Sequence, residues 1–589
     1  MKGGQIVSCY RITTSVFIYC FLSIVVHQAL AQDRSSVVQF DAVTAAELVD
    51  PVDEDWLIWR RTYDAQGYSP LDQVNKNNIK DLKEAWRIPL LEGPNMATPL
   101  VHDGVMFLAS TQDTVLALDA ISGKQLWKYE HRPTGFIGPK IGLALHGNKV
   151  IVPTQNMQLV ALEASTGKVI WTHEIETPEH EQPLRLPYSL RGAPLVANGM
   201  VLQGVTATMI PEGGFIVGLD LESGEEIWRF HSIARPDEPG GNTWNNLALK
   251  DRSGGSVWVP ASYDAELDLA YYGTAPTYDT APLLHSLNME GVSNEALYTN
   301  ATIALRPKTG ELAWFFQHMP NDQWDLDWVF ERQLIELEVN GTLRKVVLTA
   351  GKMALYDVLD AATGEYLNSF DVGFQNIVTA VDPKTGDKSI NPRAIPNAED
   401  ANLLCPMANA GRNWPSASIN PNSKTLYLPL SEVCMMFGPT SNTRTLLSTG
   451  VAIKAQPSAD SDGKFGRVQA INIETGEMLW DFREVVPPVS AALSTAGGLL
   501  FFGTLDNRFV ALDEVNGNVL WEDDLADIPA SFPISYGVDG KQYIAVVIGQ
   551  PSVYHATSLM SYVNEFLGDQ SPLIDVQRSG PALVVYALD

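Results

Sequence analysis

The clearest candidate for chemistry is the segment NDQWDLDW at residues 321–328, which occurs once in the chain. It places two carboxylates, Asp325 and Asp327, between tryptophans, just after a predicted strand. A carboxylate that is held close to a substrate in a water-poor pocket can accept a proton. The alternative is that these are surface acids that cap a turn, which is the usual role of a lone aspartate.

This acidic segment follows one copy of a repeat that recurs along the chain. The repeat has a small-apolar-acidic start, a turn that ends in Gly, and a Trp four residues after that Gly. Each copy follows a β-rich run, so it predicts a hairpin in which Gly supplies a positive φ and Trp packs between adjacent sheets. The copies are ALDAISGKQLW (117–127), ALEASTGKVIW (161–171), GLDLESGEEIW (218–228), ALRPKTGELAW (304–314), the weaker VLDAATGEYLN (358–368), AINIETGEMLW (470–480) and ALDEVNGNVLW (511–521).

The two ends of the chain carry the halves of an eighth copy. The chain ends in LVVYALD, which is the front half, and LKEAWRI at residues 82–88 supplies a Trp without a front half. Pairing the ends would complete the unit and remove the exposed sheet edges. The pattern therefore predicts an all-β fold, an eight-bladed β-propeller closed by pairing of the N- and C-terminal strands, as one domain over residues 45–589. An open array of hairpins is the alternative, and it leaves the end fragments unexplained.

The first 31 residues have the features of a secretory signal peptide. Lys2 and Arg11 supply positive charge, residues 12–26 are mostly apolar, and residues 29–31 fit the small-x-small cleavage pattern. The alternative is an uncleaved anchor helix, but the apolar run is shorter than the ~20 residues that a membrane span needs. We expect cleavage near Ala31, a periplasmic or secreted protein, an N-terminal extension over residues 32–44, and no membrane span in the mature chain.

Net charge and cysteine content indicate which ligands and cross-links the chain can have. The chain has 40 basic and 69 acidic residues and a net charge of −29, which argues against nucleic-acid binding because no basic run could meet the phosphates. After cleavage only Cys405 and Cys434 remain, and an exported protein with two cysteines is expected to pair them. The sequence contains no Cys-x-x-Cys-His motif, so no haem is covalently attached.

Five long segments resemble the quinoprotein alcohol dehydrogenases, the pyrroloquinoline quinone (PQQ) enzymes of the methanol, ethanol and membrane glucose dehydrogenase group. The resemblance covers nearly the whole mature chain. The spacing of Cys405 and Cys434 also resembles a disulfide of that family. The segments are WRRTYDAQGYSPLDQVNKNNIKDLKEAW (59–86), SVWVPASYDAELDLAYYGT (256–274), NDQWDLDW (321–328), GRNWPSASINPNSKTLYLP (411–429) and FPISYGVDGKQYIAVVIG (532–549).

The resemblance implies a cofactor and a set of roles. PQQ would lie in the channel on an aromatic floor formed by Trp258, while Asp325 accepts the substrate's hydroxyl proton and Lys352 lies beside the quinone oxygens. The same comparison implies further PQQ contacts from Asn413, Trp414 and Thr206. The alternatives are that Trp258 packs a blade like the repeat tryptophans and that Lys352 is an ordinary solvated lysine.

The family's metal site is where this sequence departs. The resemblance implies Ca²⁺ or a lanthanide on protein ligands that include a Glu and an Asn, but here Met209 and Pro276 stand at those positions. Neither offers the oxygen that a hard ion requires, so the replacements argue against a bound ion. Asp325 and Asp327 remain as candidate ligands, and Glu212 and Asp279, each three residues from a lost ligand, could substitute.

Two functions of different classes are therefore compatible with the sequence. The first is a periplasmic dehydrogenase that oxidises an alcohol, a sugar or another small hydroxyl compound by hydride transfer to PQQ. Its electrons would pass to an external cytochrome c or quinone. The second is a non-catalytic propeller that lost the metal site and acts as a binding or assembly scaffold.

Overall fold

The computed structural model describes residues 40–133, 137–180, 186–339, 341–440, 451–549 and 555–589. The predicted signal peptide and its cleavage site lie outside this range. The described residues form mainly antiparallel sheets of two- to nine-residue strands, and the fold is all-β with a propeller-like arrangement. In these residues we find no helix with the length and apolarity that crossing a bilayer requires.

Eight sheets of four or five strands account for the repeats in the described residues, and we number them I to VIII along the chain. Their strands are: I, Leu100–His102, Val105–Ser110, Thr114–Asp119, Gln125–Glu130; II, Ala144–His146, Lys149–Pro153, Gln158–Glu163, Val169–Glu174; III, Leu195–Ala197, Met200–Val205, Phe215–Asp220, Glu226–His231; IV, Ser262–Asp264, Leu269–Gly273, Ala301–Leu305, Leu312–Gln317; V, Gln333–Val339, Thr342–Ala350, Leu355–Asp360, Tyr366–Asp371; VI, Ser418–Asn420, Thr425–Ser431, Gly466–Asn472, Met478–Glu484; VII, Leu493–Thr495, Leu499–Gly503, Arg508–Asp513, Val519–Asp524, with Tyr68–Ser69 added in parallel; VIII, Ile534–Val538, Lys541–Ile548, Ala582–Ala587 and Lys83–Pro89.

The remaining elements are short and lie in the connections. Two small sheets occupy the long insertion between sheets V and VI: Val378–Val381 with Lys388–Ile390, and Asn402–Leu404 with Val433–Thr440 and Val451–Pro457. Two α-helices cover Ala45–Val49 and Ala556–Leu567, and 3₁₀ turns cover Ile79–Asp81, Gly241–Thr243, Leu249–Asp251, Ala281–Leu283, Pro392–Ala394 and Gly568–Gln570. The predicted disulfide is confirmed: Cys405 is bonded to Cys434, which ties the second small sheet together.

Neighbouring sheets are joined by the repeat tryptophans, as the sequence predicts. Gly167 has φ +70°, and a Cβ on it would lie 2.6 Å from Cε3 of Trp127 in the preceding sheet, so only glycine lets the indole approach. The Trp127 indole also donates to the carbonyl of Ala164 at 2.8 Å. The equivalent pairs are Trp86–Gly123, Trp171–Gly224, Trp228–Gly310, Trp314–Gly364 and Trp480–Gly517, with Phe370 in the same role beside Gly476.

Both ends of the chain enter sheet VIII. Lys83–Pro89 pairs antiparallel with Ala582–Ala587, so the two half-repeats seen in the sequence form adjacent strands of one sheet. Trp86 of this sheet packs on Gly123 of sheet I, and Tyr586 meets Trp521 of sheet VII edge to face at 5.3 Å. Sheet VIII therefore contacts both the first and the last of the other sheets.

Strand direction places two kinds of connection at the same end of every sheet. In an antiparallel sheet, the start of the first strand and the end of the second lie at one edge. The connections that enter a sheet and those that join its second and third strands therefore converge there. All the candidate site residues described below come from these two kinds of connection, or from the insertions within them.

Candidate active site

A cavity of about 620 Å³ lies where these connections converge. Its volume is in the range of small-molecule and cofactor sites in proteins. Its walls combine indole, phenol and aliphatic surfaces with carboxylate, ammonium, guanidinium and amide groups. The lining residues are Met96, Pro139, Ile141, Leu186, Arg191, Thr208, Met209, Trp258, Tyr278, Asp325, Asp327, Lys352, Asn409, Asn413, Trp414 and His555.

The two predicted carboxylates are presented by a tightly held turn. Asp322 accepts hydrogen bonds from the backbone N–H groups of Trp324 and Leu326, both at 2.7 Å, and so closes the turn on itself. Asp325 adopts φ +63°, a left-handed conformation that Asp tolerates better than most residues. The turn is thereby fixed before any ligand binds, and its two acidic side chains point into the cavity.

The flanking tryptophans hold this turn against the core and do not line the cavity. Trp324 is buried and donates from its indole N–H to the carbonyl of Ala394 at 2.7 Å. Trp328 is fully buried and stacks on His318, with ring centroids 4.5 Å apart and planes 4° from parallel. The alternation of Trp and Asp in NDQWDLDW therefore reflects a turn whose indoles face the core while its carboxylates face the cavity.

Lys352 lies between the two carboxylates. Its Nζ is 2.6 Å from Oδ1 of Asp327 and 3.6 Å from Oδ1 of Asp325, and it donates to the backbone carbonyl of Asp325 at 2.8 Å. All three side chains are at least nine-tenths buried. The Lys352 backbone N–H donates to the Asp327 carbonyl at 3.0 Å, which locks the lysine segment to the acidic turn. The interpretation of Lys352 as a solvated surface residue is wrong.

Burial and charge act on this cluster in opposite directions. Burial raises the pKa of Asp325 well above its usual range; the Lys352 ammonium opposes that rise, and the nearby carboxylates of Asp327 and Asp322 add to it. Burial alone would lower the pKa of Lys352, but Asp325 and Asp327 outweigh it, and the lysine pKa is raised. The ammonium therefore stays charged, and Asp325 is a carboxylate with unusually high proton affinity.

Two indoles form part of the cavity wall. Trp258 comes from the connection that enters sheet IV, and its ring meets the edge of Phe330 at 5.6 Å. Trp414 comes from the connection that enters sheet VI, is buried, and leans on Phe532 at 5.6 Å. Neither takes part in the Trp–Gly contacts between sheets, so Trp258 does not have the blade-packing role that was its alternative interpretation.

The other sequence-predicted residues are placed as follows. Asn413 lines the cavity, and its side-chain oxygen accepts a hydrogen bond from the backbone N–H of Trp414 at 2.9 Å. Thr206 is buried but does not line the cavity, and its hydroxyl finds no hydrogen-bond partner among the described residues. The lining residue two positions further on is Thr208.

The residues expected at the metal site offer a poor set of ligands. Met209 lines the cavity with a thioether, while Pro276, Glu212 and Asp279 do not line it. Glu212 instead lies 3.9 Å from Arg235. Within the described ranges no cluster of three or more His, Cys, Asp or Glu side chains is placed to hold an ion. The cavity thus has two carboxylates for an ion, and an ammonium already lies between them.

Besides Thr208, four polar lining residues were not singled out in the sequence: Arg191, Tyr278, Asn409 and His555. Two of them lie near segments that were noticed, since Asn409 precedes GRNW and Tyr278 follows Pro276. Arg191 lies in the connection that enters sheet III. His555 precedes the helix Ala556–Leu567, which no repeat or motif predicted. The sequence did not predict that these residues share one site, because each is brought to the cavity by a different connection.

Comparisons with known proteins identify the family of the chain. Residues 56–372 and 384–544 match the family model described as "PQQ: Glucose/ethanol/alcohol dehydrogenase, beta-propeller domain". The chain is 31% identical over 537 residues to the dehydrogenase subunit of the quinone alcohol dehydrogenase of Komagataeibacter europaeus, covering 85% of this chain and 72% of that protein. It is 30% identical over 558 residues to quinohemoprotein alcohol dehydrogenase ADH IIB of Pseudomonas putida, covering 91% and 78%.

Solved structures give the same result. The quinohemoprotein alcohol dehydrogenase ADHIIG from Pseudomonas putida superposes with a TM-score of 0.80 at 27% identity, covering 94% of this chain and 83% of that one. A europium-containing methanol dehydrogenase superposes with a TM-score of 0.78 at 25% identity, covering 91% and 98%. With the family model matched over most of its length, the chain belongs to the PQQ-dependent glucose, ethanol and alcohol dehydrogenase family.

Proposed function

We propose that this protein is a PQQ-dependent dehydrogenase that oxidises the hydroxyl group of a small alcohol, sugar or related compound. The observation that carries the proposal is the buried group formed by Asp325, Asp327 and Lys352 in the wall of a cavity with indole surfaces. When bound, PQQ would supply a quinone that accepts a hydride from the substrate carbon. The remaining chemistry is a proton transfer and the positioning of the substrate, which the chain's own residues perform.

The residues of the cavity fit PQQ, a flat and acidic molecule. The indoles of Trp258 and Trp414 offer apolar surface for a ring, and the Trp414 indole N–H has no partner among the described residues. Arg191 and Lys352 supply positive charge for carboxylates and quinone oxygens, and Asn413 supplies an amide. Charged and planar donors of this kind suit anionic oxygen atoms. Thr206 does not line this cavity, and its contact with PQQ stays a prediction.

Asp325 is the group that accepts the substrate's proton. Its Oδ1 has no hydrogen-bond partner among the described residues, and it is buried in the cavity wall. A base is effective when its pKa approaches the working pH, and burial moves the pKa of Asp325 in that direction. The Lys352 ammonium limits the increase in the pKa of Asp325, so this carboxyl group can still ionise.

For the ion, the fit is poor, and no step of the proposal depends on one. Ca²⁺ and lanthanides need several oxygen ligands, and here Met209 occupies a wall position that a carboxylate would have to fill. Asp327 remains a candidate ligand, but its carboxylate is already neutralised by Lys352 at 2.6 Å.

We also infer the wider organisation of the protein. The eight sheets are interpreted as eight blades of a ring that sheet VIII closes, and the contacts of Trp86 with Gly123 and of Tyr586 with Trp521 support this. Residues 1–31 would be a signal peptide, 32–44 an extension, and 45–589 the propeller domain.

Periplasmic or secreted location after cleavage near Ala31 is consistent with the disulfide. An external cytochrome c or quinone would accept the electrons. The non-catalytic scaffold gains no support from the relatives named above.

The direct test is reconstitution of the mature protein with PQQ alone, with Ca²⁺ or with La³⁺, followed by dye reduction with a panel of alcohols and sugars. Asp325→Asn is expected to keep PQQ binding and lose about 10²–10⁴-fold in kcat, since it removes the base but keeps the shape. Asp527→Asn is the control, because Asp527 is also buried but does not line the cavity. No PQQ binding under any condition, or turnover unaffected by Asp325→Asn, would contradict the proposal.

A further inference from the structure

One wall of the cavity is formed by an imidazole that the proposed reaction does not use. His555 is 4% exposed and lines the cavity where the chain enters the helix Ala556–Leu567. Neither of its ring nitrogens has a hydrogen-bond partner among the described residues. Leaving a buried polar atom unpaired costs on the order of 1–3 kcal/mol, so a pair of such atoms in a binding cavity indicates contact with a ligand.

The surroundings of His555 fix what kind of ligand atom it can bind. Its ring lies 6.0 Å from Trp414, edge to face, and burial together with the nearby Lys352 ammonium lowers its pKa to about 3. The imidazole is therefore neutral, with one nitrogen that donates and one that accepts a hydrogen bond. A hydroxyl group, which both donates and accepts, satisfies either nitrogen, whereas a carboxylate can only accept.

His555 and the base share the Lys352 ammonium as a neighbour. The Lys352 ammonium lies 3.6 Å from Asp325, and its charge is also felt at His555. The reacting hydroxyl of a substrate must lie within hydrogen-bond reach of Asp325. A substrate in that position has His555 on the wall of the same cavity, available to any second polar group that it carries.

We propose that His555 binds a second hydroxyl group of the substrate, so that the cavity favours diols and polyols over simple alkanols. This inference rests on the proposed dehydrogenase function and adds the substrate class to it. His555 is a specificity-determining residue here, and the proton transfer itself stays with Asp325.

The experiment compares 1-butanol with 1,2-, 1,3- and 1,4-butanediol on the PQQ-loaded protein. Wild-type protein is expected to show a higher kcat/KM for at least one diol, and the best spacing reports the distance between the two hydroxyl sites. In His555→Phe, which keeps a flat ring without hydrogen-bonding atoms, the diol-to-butanol ratio of kcat/KM should fall about 10- to 100-fold, the effect of losing one or two buried hydrogen bonds. His555→Gln, which keeps a donor and an acceptor, should recover part of that ratio.

Two readouts do not depend on turnover. In the Asp325→Asn background, calorimetry should show that His555→Phe weakens binding of the preferred diol by a similar factor. The melting temperature of His555→Phe should equal or exceed that of the wild type, because an unpaired buried imidazole has been removed. His146→Phe, outside the cavity, is the control for introducing the ring.

The outcomes separate the two proposals. Turnover without any preference for diols, or an equal loss for 1-butanol and diols in His555→Phe, would overturn the role of His555 and leave the dehydrogenase intact. Loss of PQQ affinity in His555→Phe would assign the imidazole to the cofactor, and that also overturns the proposal. A wild-type protein that binds PQQ but oxidises no hydroxyl compound would overturn both.

Discussion

Replacing Lys352 by Met tests whether the acidic pair depends on an internal ammonium. Methionine preserves the length of the side chain but removes the charge that lies 2.6 Å from Asp327 and 3.6 Å from Asp325. Breaking a buried ion pair on one side leaves an uncompensated charge, which typically costs about 3–5 kcal/mol. The unfolding entropy of a chain of 589 residues is about 1.2 kcal/mol/K, from about 2.1 cal/mol/K per residue. The melting temperature should therefore fall by about 2–4 °C at pH 8.

The pH dependence of this loss follows from the pKa of Asp325. A carboxyl whose pKa is raised in the folded state stabilises the fold at low pH, and this contribution disappears as the pH rises through the raised pKa. Because Lys352 opposes the rise, Lys352→Met should raise the pKa of Asp325 further. The difference in melting temperature between wild type and Lys352→Met should therefore shrink between pH 8 and pH 5.

Scanning calorimetry at pH 5, 6.5 and 8 measures both effects. Lys76→Met is the matched control, since Lys76 pairs with Asp513 at 3.4 Å but its side chain is 39% exposed, and such pairs contribute about 1 kcal/mol or less. Lys352→Arg keeps the charge and should lose less stability than Lys352→Met. If Lys352→Met has the melting temperature of the wild type at pH 8, or if its deficit grows on acidification, the acidic pair does not depend on the Lys352 ammonium and the reasoning fails.

Three further predictions concern the scaffold. Gly167→Ala should destabilise more than Gly147→Ala in thermal melts: both glycines have positive φ, but only the Cβ at Gly167 would meet Trp127, and equal losses would argue against the indole contact. Reducing the Cys405–Cys434 bond, which spans 29 residues, should lower the free energy of unfolding by about 3–4 kcal/mol. Reductant should then lower the melting temperature of the wild type but not that of the Cys405→Ser/Cys434→Ser variant. Burial lowers the pKa of His318 to about 4, so the stability that its neutral form gives the fold is complete above about pH 6.5 and is lost as the pH falls towards 4. The melting temperature of His318→Gln should therefore fall less steeply than that of the wild type over this range. An equal slope would refute this.

The repeats made the fold predictable because their pattern has a direct physical cause. Each Gly–Trp spacing describes one hairpin and one contact with the next sheet, as Gly167 and Trp127 illustrate. The pairing of Lys83–Pro89 with Ala582–Ala587 could be expected because two incomplete halves add up to one repeat. The insertions have no such pattern. The small sheet around Cys434 and the helix Ala556–Leu567 lie in such insertions, and no periodicity of the sequence predicts them.

The site was predictable only where a residue belongs to a compact motif. Asp325 and Asp327 stand out because both carboxylates lie between two tryptophans within five residues. Lys352 and Trp414 could be assigned to the site only through the family resemblance, since a single lysine or a single tryptophan does not by itself indicate a cavity position. His555 was missed because its segment has no motif, and only the fold brings it to the cavity. For Thr206, the resemblance pointed to the correct loop but not to the lining residue, since Thr208 lines the cavity and Thr206 does not.

The arrangement of the acidic pair supports different roles for its two carboxylates in the proposed reaction. Lys352 lies 1.0 Å nearer to Asp327 than to Asp325, by the two distances of 2.6 and 3.6 Å, and electrostatic attraction falls with distance. Asp327 is therefore the main partner of the ammonium and keeps it buried and charged. Asp325 keeps an oxygen without a hydrogen-bond donor among the described residues, and that atom can take a proton from a substrate. Asp327→Asn removes a carboxylate that raises the pKa of Asp325, whereas Lys352→Met removes the ammonium that lowers it. The pH profile of kcat should therefore shift to lower pH in Asp327→Asn and to higher pH in Lys352→Met, and shifts in the same direction would contradict this division.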